Sequence, residues 1–448
     1  MNNTSSLRLK QSIRSAFGNT SDFVYTEAFI CGAKAEVCYL ETLVDYDDTM
    51  NLILTHVPRQ PDGGADPMQD LASSYLTRVC GSPEEAVQSI RDGLLVLLPE
   101  DGTGCLIVSP VPIENSRSIT EAQTENPIQS SLDSFNEDLT TNLSLIRKKV
   151  NTEDLVIRTY RLGSDVRRDA ALIYVEGQAD PKAVELARQC LDEGQSADVY
   201  DIQGLLGVLK QPRFCPFPTY VSSELPSTAM HHLMEGRIVI MMDQFPFSLS
   251  FPSIVSDFWN VKTDKNQPRL FTYLYRMIRI VSLIVAVSMP GLYVVLNSVN
   301  PELLRIQLAV SITNSREGVP YPVLIELILM LLVIEMVIEA SIRLPKSIGP
   351  TITMIGGIIL GQAVVQARLV SYFLIIVVAA STIAHFTLGT YMNTVSIRIY
   401  KYVVIVFSAL YGILGLMTSI VLLCFYMGTM TTFEVPYLSL SVKRGKSE

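Results

Sequence analysis

Aspartate is absent from Phe271 to the end of this 448-residue chain, where 12 Lys/Arg stand against 7 glutamates. The 270 residues before it hold 23 Lys/Arg and 37 Asp/Glu, a net of −14. Mean hydropathy is +0.31 although 18% of residues are charged, so the chain divides into an acidic soluble region and a mildly basic apolar block. An acidic head without basic stripes argues against nucleic-acid binding. The seven cysteines form no CxxC pair and read as reduced core residues rather than a disulfide frame or a zinc site. Adjacent His231 and His232 would point about 100° apart on a helix, a poor chelate. GxxxxGK[ST], GxGxxG and GxSxG are all missing, so nothing points to an enzyme or a cofactor. The opening residues MNNTSSLRLKQSIRSAF lack the apolar core of a signal peptide, and the head is expected to be made and kept in the cytoplasm.

What is present centres on Tyr321–Gly361. An apolar run from Pro322 to Ala340 carries Glu326, Glu335 and Glu339, breaks at Arg343-Leu-Pro345, and is followed from Ile348 by a second, glycine-rich run. Each is long enough for a hydrocarbon core of about 30 Å. A carboxylate at that depth costs roughly 2.5–3.5 kcal/mol and needs a partner or a polar cavity. At about 100° per residue, Glu335, Glu339 and Arg343 share one helix face and Glu326 lies opposite. Glu339 and Arg343 form an i,i+4 pair in the favourable orientation, so Glu339 is either neutralised locally or faces a pore. Glu335 has no local partner in the sequence and is assigned to a pore or cavity.

The head reads as α/β. An amphipathic helix over Leu7–Phe17 leads to a hairpin through Cys31 and a strand at Ala35–Leu40. Ser82-Pro-Glu-Glu85 is a helix start, and that helix ends at Gly93. Three similarities recur in order. Asn19-Thr-Ser-Asp-Phe-Val resembles Asn151-Thr-Glu-Asp-Leu-Val. Tyr39-x-Glu41-x-x-x-Asp45 resembles Tyr174-x-Glu176-x-x-x-Asp180. The unit from Ala86 through Gly93 resembles that from Ala229 through Gly236. They predict two similar lobes, residues 1–113 and 151–270, joined by a linker and connecting helix within 114–150. That helix, Ser131–Val150, buries Leu132, Phe135, Leu139, Leu143 and Ile146, with Glu137 and Asp138 on a solvated face. Asp180 reads as a helix cap.

The apolar block, 271–430, reads as about five spans: Ile280–Leu296, Pro322–Ala340, Ile348–Val365, Val370–Leu388 and Val403–Met427. Met289-Pro-Gly291 predicts a kink. Pro301–Ile312 is too short to span and is either interfacial or re-entrant. Gly357 and Gly361 form a small-xxx-small motif for helix pairing. Basic residues favour the head inside, but five crossings would leave the basic tail, 431–448, outside.

The residues resemble the A subunits of GerA-type spore germination receptors. The matching stretches are Phe135-Asn-Glu137 through Arg147, Ile173-Tyr-Val-Glu-Gly177 with Ala179-Asp-Pro181, Leu233 to Ile240 with Asp243, and Met289-Pro-Gly-Leu-Tyr-Val294. The densest run is Ser315-Arg-Glu-Gly-Val-Pro-Tyr-Pro322, Glu326, Glu335, Arg343-Leu-Pro345, Gly349 and Gly361-Gln-Ala-Val-Val-Gln-Ala367. The resemblance implies a multi-pass protein of the spore inner membrane with its head facing the core. It implies as partners a transporter-like B subunit, a lipoprotein C subunit and other copies of itself in a cation-passing ring within the bilayer. Accessory A-type sporulation proteins belong to the same family. Thr432-Phe-Glu-Val-Pro-Tyr-Leu438 lacks the glycine the family commonly has before Pro-Tyr-Leu, and the family tail usually runs longer. The expected function is a nutrient-gated cation channel subunit in which Glu335, Glu339 and Glu326 line the ion pathway, since rings of carboxylates select cations. The rivals are an assembly scaffold and a secondary transporter.

Overall fold

The computed structural model describes residues 3–30, 33–56, 77–80, 82–99, 105–111, 131, 133–212, 214–344, 349–388 and 391–442. The hairpin turn at Cys31 and Leu132 of the expected connecting helix lie outside the described residues.

The first lobe runs α1 (Asn3–Phe17), β1 (Phe23–Ile30), β2 (Ala33–Leu40), α2 (Tyr46–His56), β3 (Thr77–Cys80), α3 (Pro83–Arg91), β4 (Leu95–Pro99) and β5 (Cys105–Val108). The second begins with α4 (Leu139–Lys149) and runs β6 (Leu155–Leu162), β7 (Arg168–Val175), α5 (Pro181–Glu193) and α6 (Ile202–Val208). It ends with β8 (Val221–Ser223), α7 (Pro226–Met234), β9 (Ile238–Met242) and β10 (Ser248–Phe251). The sheets have the same order, β1-β2-β4-β5-β3 and β6-β7-β9-β10-β8, and neighbouring strands pair antiparallel in both. The repeat read from three short similarities is therefore a repeat of topology.

Local chemistry repeats with it. The turns from α3 to β4 and from α7 to β9 each place a glycine in the left-handed region, Gly93 at φ 82° and Gly236 at φ 86°, where a Cβ would be strained. Ser82 Oγ accepts from Glu85 N at 3.2 Å, and Asp180 Oδ1 accepts from Lys182 N at 3.1 Å; both expected caps are present. The connecting helix is shorter than expected. It starts at Leu139 because Asp138, read as mid-helix, is its N-cap and accepts from Thr141 N at 2.8 Å. A cap ends the helical ladder on its N-terminal side. Phe135 nonetheless stays buried with Leu139, Leu143 and Ile146 on one face of the second sheet, while α5 and α6 cover the other face.

Beyond β10, Val255–Phe258 and Lys262–Asn266 form short 3-10 turns leading into α8 (Arg269–Val294), which contains Pro290 and ends in a π-turn over Val295–Val299. Pro301–Leu303 is a 3-10 turn and α9 covers Ile306–Ser315, so the segment expected at Pro301–Ile312 is helical only in part. Next come α10 (Val323–Arg343), α11 (Gly349–Gln366), α12 (Tyr372–Phe386) and the helical stretch α13 (Tyr391–Thr429).

The last stretch is not one helix. Gly412 adopts φ 62° and ψ −138°, a conformation open to glycine alone. Tyr400 and Tyr426 would stand about 39 Å apart along a straight helix, yet both rings lie within 6.5 Å of the Phe217 ring. The stretch is a hairpin, with an outgoing arm before Gly412 and a returning arm after it. The expected span Val403–Met427 is thus split at its turn. By length and composition two helical stretches of the described residues could cross a membrane, Arg269–Val299 and Thr394–Thr429, the second folded back at Gly412, not five. Helix α10 falls short on charge: each of its eighteen-residue windows holds at least three of Glu326, Glu335, Glu339 and Arg343.

The returning arm ends against the head. Thr431–Thr432 and Val435–Pro436 form a small hairpin whose Phe433 is buried in the core of the second lobe, edge-on to Phe251 at 5.4 Å. Val255 N donates to Tyr437 O at 2.8 Å. Residues 431–437 therefore pack against the head.

Candidate functional site

The three carboxylates of α10 stand in three different settings. Glu326, in its first turn, is fully buried. It accepts from Ser371 N at 2.6 Å and from Arg316 Nε at 3.3 Å. Ser371 caps α12 through Leu374 N at 3.2 Å and meets Tyr293 Oη at 3.2 Å. Glu326 thus gathers the end of α8, the segment after α9 and the start of α12 at the pole away from the head. An anion near a helix N-terminus is favoured by the orphan N–H groups there.

Glu335 does have partners, supplied by the outgoing arm of α13. Its carboxylate receives Arg398 Nη2, Lys401 Nζ at 3.4 Å and Tyr402 Oη at 3.4 Å. These residues are 63 to 67 positions away, beyond the reach of any helical periodicity. Since Arg398 lies close in sequence to Tyr400, which touches Phe217, this cluster sits at the pole near the head. Glu339 pairs with Arg343 as its spacing predicts, through Nη2 at 2.7 Å and Nε at 2.9 Å, and both side chains are exposed. A Cβ placed at Gly357 or Gly361 would meet nothing within 4 Å. Among the described residues the space beside both glycines is open.

A second set of charges ties the head together and to α8. Arg147 of α4 reaches Asp22, just before β1, through Nη2 at 2.7 Å and Nε at 2.9 Å, and also donates to Leu155 O at 2.9 Å. Burial raises the Asp22 pKa, but the Arg147 guanidinium and the Thr20 and Thr42 hydroxyls outweigh it and hold the carboxyl below its ordinary value. Where the lobes meet, a cleft of about 230 Å³ is lined by Asn19, Glu153, Asp154 and Glu176. Arg237 at the start of β9, 1% exposed, is bidentate to Asp257 at 2.9 and 2.7 Å. Glu235 receives Lys262 and, at 3.1 Å, Lys265; Arg279 of α8 closes on Asp264. Sequence reading missed these pairs because their partners are far apart along the chain. The only local hint was that Arg147 ends a helix with a buried face. Cys38, Cys105 and Cys190 are buried and free, as expected, and burial pushes the Cys38 thiol up to about 12, while Cys424 is exposed.

A duplicated α/β head joined, through the Asp264–Arg279 pair at the entry of α8, to an apolar region with two stretches long and apolar enough to cross a membrane defines a two-part protein of membrane-associated class. The chain belongs to the family described as Bacillus/Clostridium GerA spore germination protein, which it matches over residues 11–447. It is 29% identical over 424 residues to "Uncharacterized membrane protein YfkQ" of Bacillus subtilis (strain 168), covering 94% of this chain and 82% of that one. It is 28% identical over 432 residues to "Spore germination protein GerLA" of Bacillus cereus, covering 95% and 88%. It is 28% identical over 401 residues to "Spore germination protein A1" of Bacillus subtilis (strain 168), covering 90% and 83%. Among solved structures, the N-terminal domain of the A subunit of the Bacillus megaterium spore germinant receptor GerK3 aligns at 23% identity and a TM-score of 0.42. That alignment covers 55% of this chain and 93% of that one.

Proposed function

We propose that this chain is the A-type membrane subunit of a nutrient germinant receptor, with its head on the cytoplasmic (spore-core) side of the spore inner membrane. The observation that carries the reading is the family match through head and helical region alike, residues 11–447. The partners are a transporter-like B subunit, a lipoprotein C subunit and further copies of the chain.

The helix directions support an even number of passes. The segment α8 and the outgoing arm of α13 run away from the head, and α10, α12 and the returning arm run back. With the returning arm ending against the head, the tail is then on the head's side of the membrane. In this arrangement Glu335 and Glu339 stand at the inner mouth of a cation pathway and Glu326 at its outer end. Glu335 is held by Arg398 and Lys401, and opening the path would require that these cations release it.

The test is deletion of the gene in the spore-forming host. Spores lacking the chain should fail to release monovalent cations and to lose refractility with at least one nutrient, and a plasmid copy should restore both. Normal responses to every nutrient would remove the receptor reading. An accessory A-type protein or assembly scaffold is the second reading. Stable complexes with B and C subunits but no cation flux in liposomes would select it.

A further inference from the structure

The loop after α6 is pinned to the helical region. Phe217 is buried among the rings of Phe258, Tyr400, Tyr426 and Tyr437. Cys215 Sγ lies 3.9 Å from Tyr426 Oη and 3.9 Å from Met430 Sδ. Its neighbour Phe214 is 99% exposed. Adjacent Cα atoms are about 3.8 Å apart, so Phe214 is held at the level where the returning arm of α13 ends at Thr429. Phe425, one turn earlier, and Leu438 and Leu440, just beyond, are also exposed.

Large apolar side chains left uncovered together mark an interaction surface. Their height identifies the partner. They lie near the end of an apolar helix at the pole facing the head, the level at which aromatic side chains seat in a membrane–water interface. We propose that Phe214 is a lipid anchor, inserting its ring into the headgroup–acyl boundary of the leaflet on the head's side. The second lobe is then held to the membrane by lipid as well as by the helices. The occupant is the bilayer because the loop's fixed contacts are to the last turn of a helix that enters it. This inference rests on the reading that α8 and α13 cross a membrane.

Trp259 is the chain's single tryptophan, which makes a direct test available. The full-length protein with Trp259→Phe carries either Phe214→Trp or, as a reference within α8, Ile284→Trp. Each is reconstituted in phosphatidylcholine nanodiscs with and without bromine on the upper acyl chain. Emission should fall about two-fold or more in brominated discs for both variants, as for rings seated in or below the interface. Quenching at 284 without quenching at 214 overturns the anchor and leaves the membrane reading intact. No quenching at 284 ends the membrane reading and the anchor with it. If Trp259→Phe lowers the yield, the same difference is read with Trp259 retained as a constant background.

Discussion

Arg147 closes on Asp22 across 125 residues of sequence, with both side chains about 4% exposed. The pair joins the helix that opens the second lobe to the strand entry of the first. Removing one partner strands the other's charge in a dry site, at a cost of about 3–5 kcal/mol. Asp22→Ala and Arg147→Met should each lower the melting temperature of the detergent-purified protein by several degrees. The double variant should lose less than the sum of the two. Additive losses would mean that the pair is not the joint.

Acid should loosen the head in two stages. Burial, with Arg237 and Lys262 nearby, pushes the His232 pKa well below 6.5. The unfolded chain therefore takes up that proton first, and stability present above about pH 6.5 declines as pH falls below it. Asp22 also has a depressed pKa; its contribution is present above the ordinary carboxylate value and is lost as pH falls through the depressed one. His232→Gln should flatten the first stage and leave the second, as read by thermal melts between pH 7 and pH 3.

Gly412→Ala should disrupt the turn of the last hairpin. The substitution meets a glycine-only backbone and runs its Cβ into Asn300 Oδ1, where the native contact is Ile413 N donating to Asn300 Oδ1 at 3.2 Å. The backbone strain alone is about 1–3 kcal/mol. Yield and thermal stability in detergent should both fall; an unchanged melt would argue against the turn.

Glu335→Gln leaves Arg398 and Lys401 without their shared anion. If Glu335 serves the ion pathway, nutrient-dependent cation flux through proteoliposomes should fall while protein level holds. Unchanged flux in Glu335→Gln would sink its assignment to the pathway.

Phe433→Ala empties a buried aromatic site in the second lobe, at a cost of about 3–5 kcal/mol. The tail hairpin should then detach before the head unfolds. Hydrogen exchange should rise at residues 431–437 and around Phe251, with the first lobe unaffected. Equal protection in variant and wild type would show that the strap does not depend on this ring.

The division into an acidic head and an apolar block, the repeat of the head, the caps at Ser82 and Asp180 and the Glu339–Arg343 pair were legible in the chain itself. The division rests on composition and the repeat on matching short stretches in the same order, while the caps and the ion pair rest on residues within one or two helical turns, where local geometry is fixed by spacing. The partners of Glu335, the burial of Glu326, the Arg147–Asp22 and Arg237–Asp257 pairs, the docked tail and the fold-back at Gly412 were decided by tertiary structure. A charge finds its counterion by proximity in space rather than in sequence. A single glycine inside an apolar helical run reads the same whether the helix continues through it or reverses, until the two arms pack and the backbone commits.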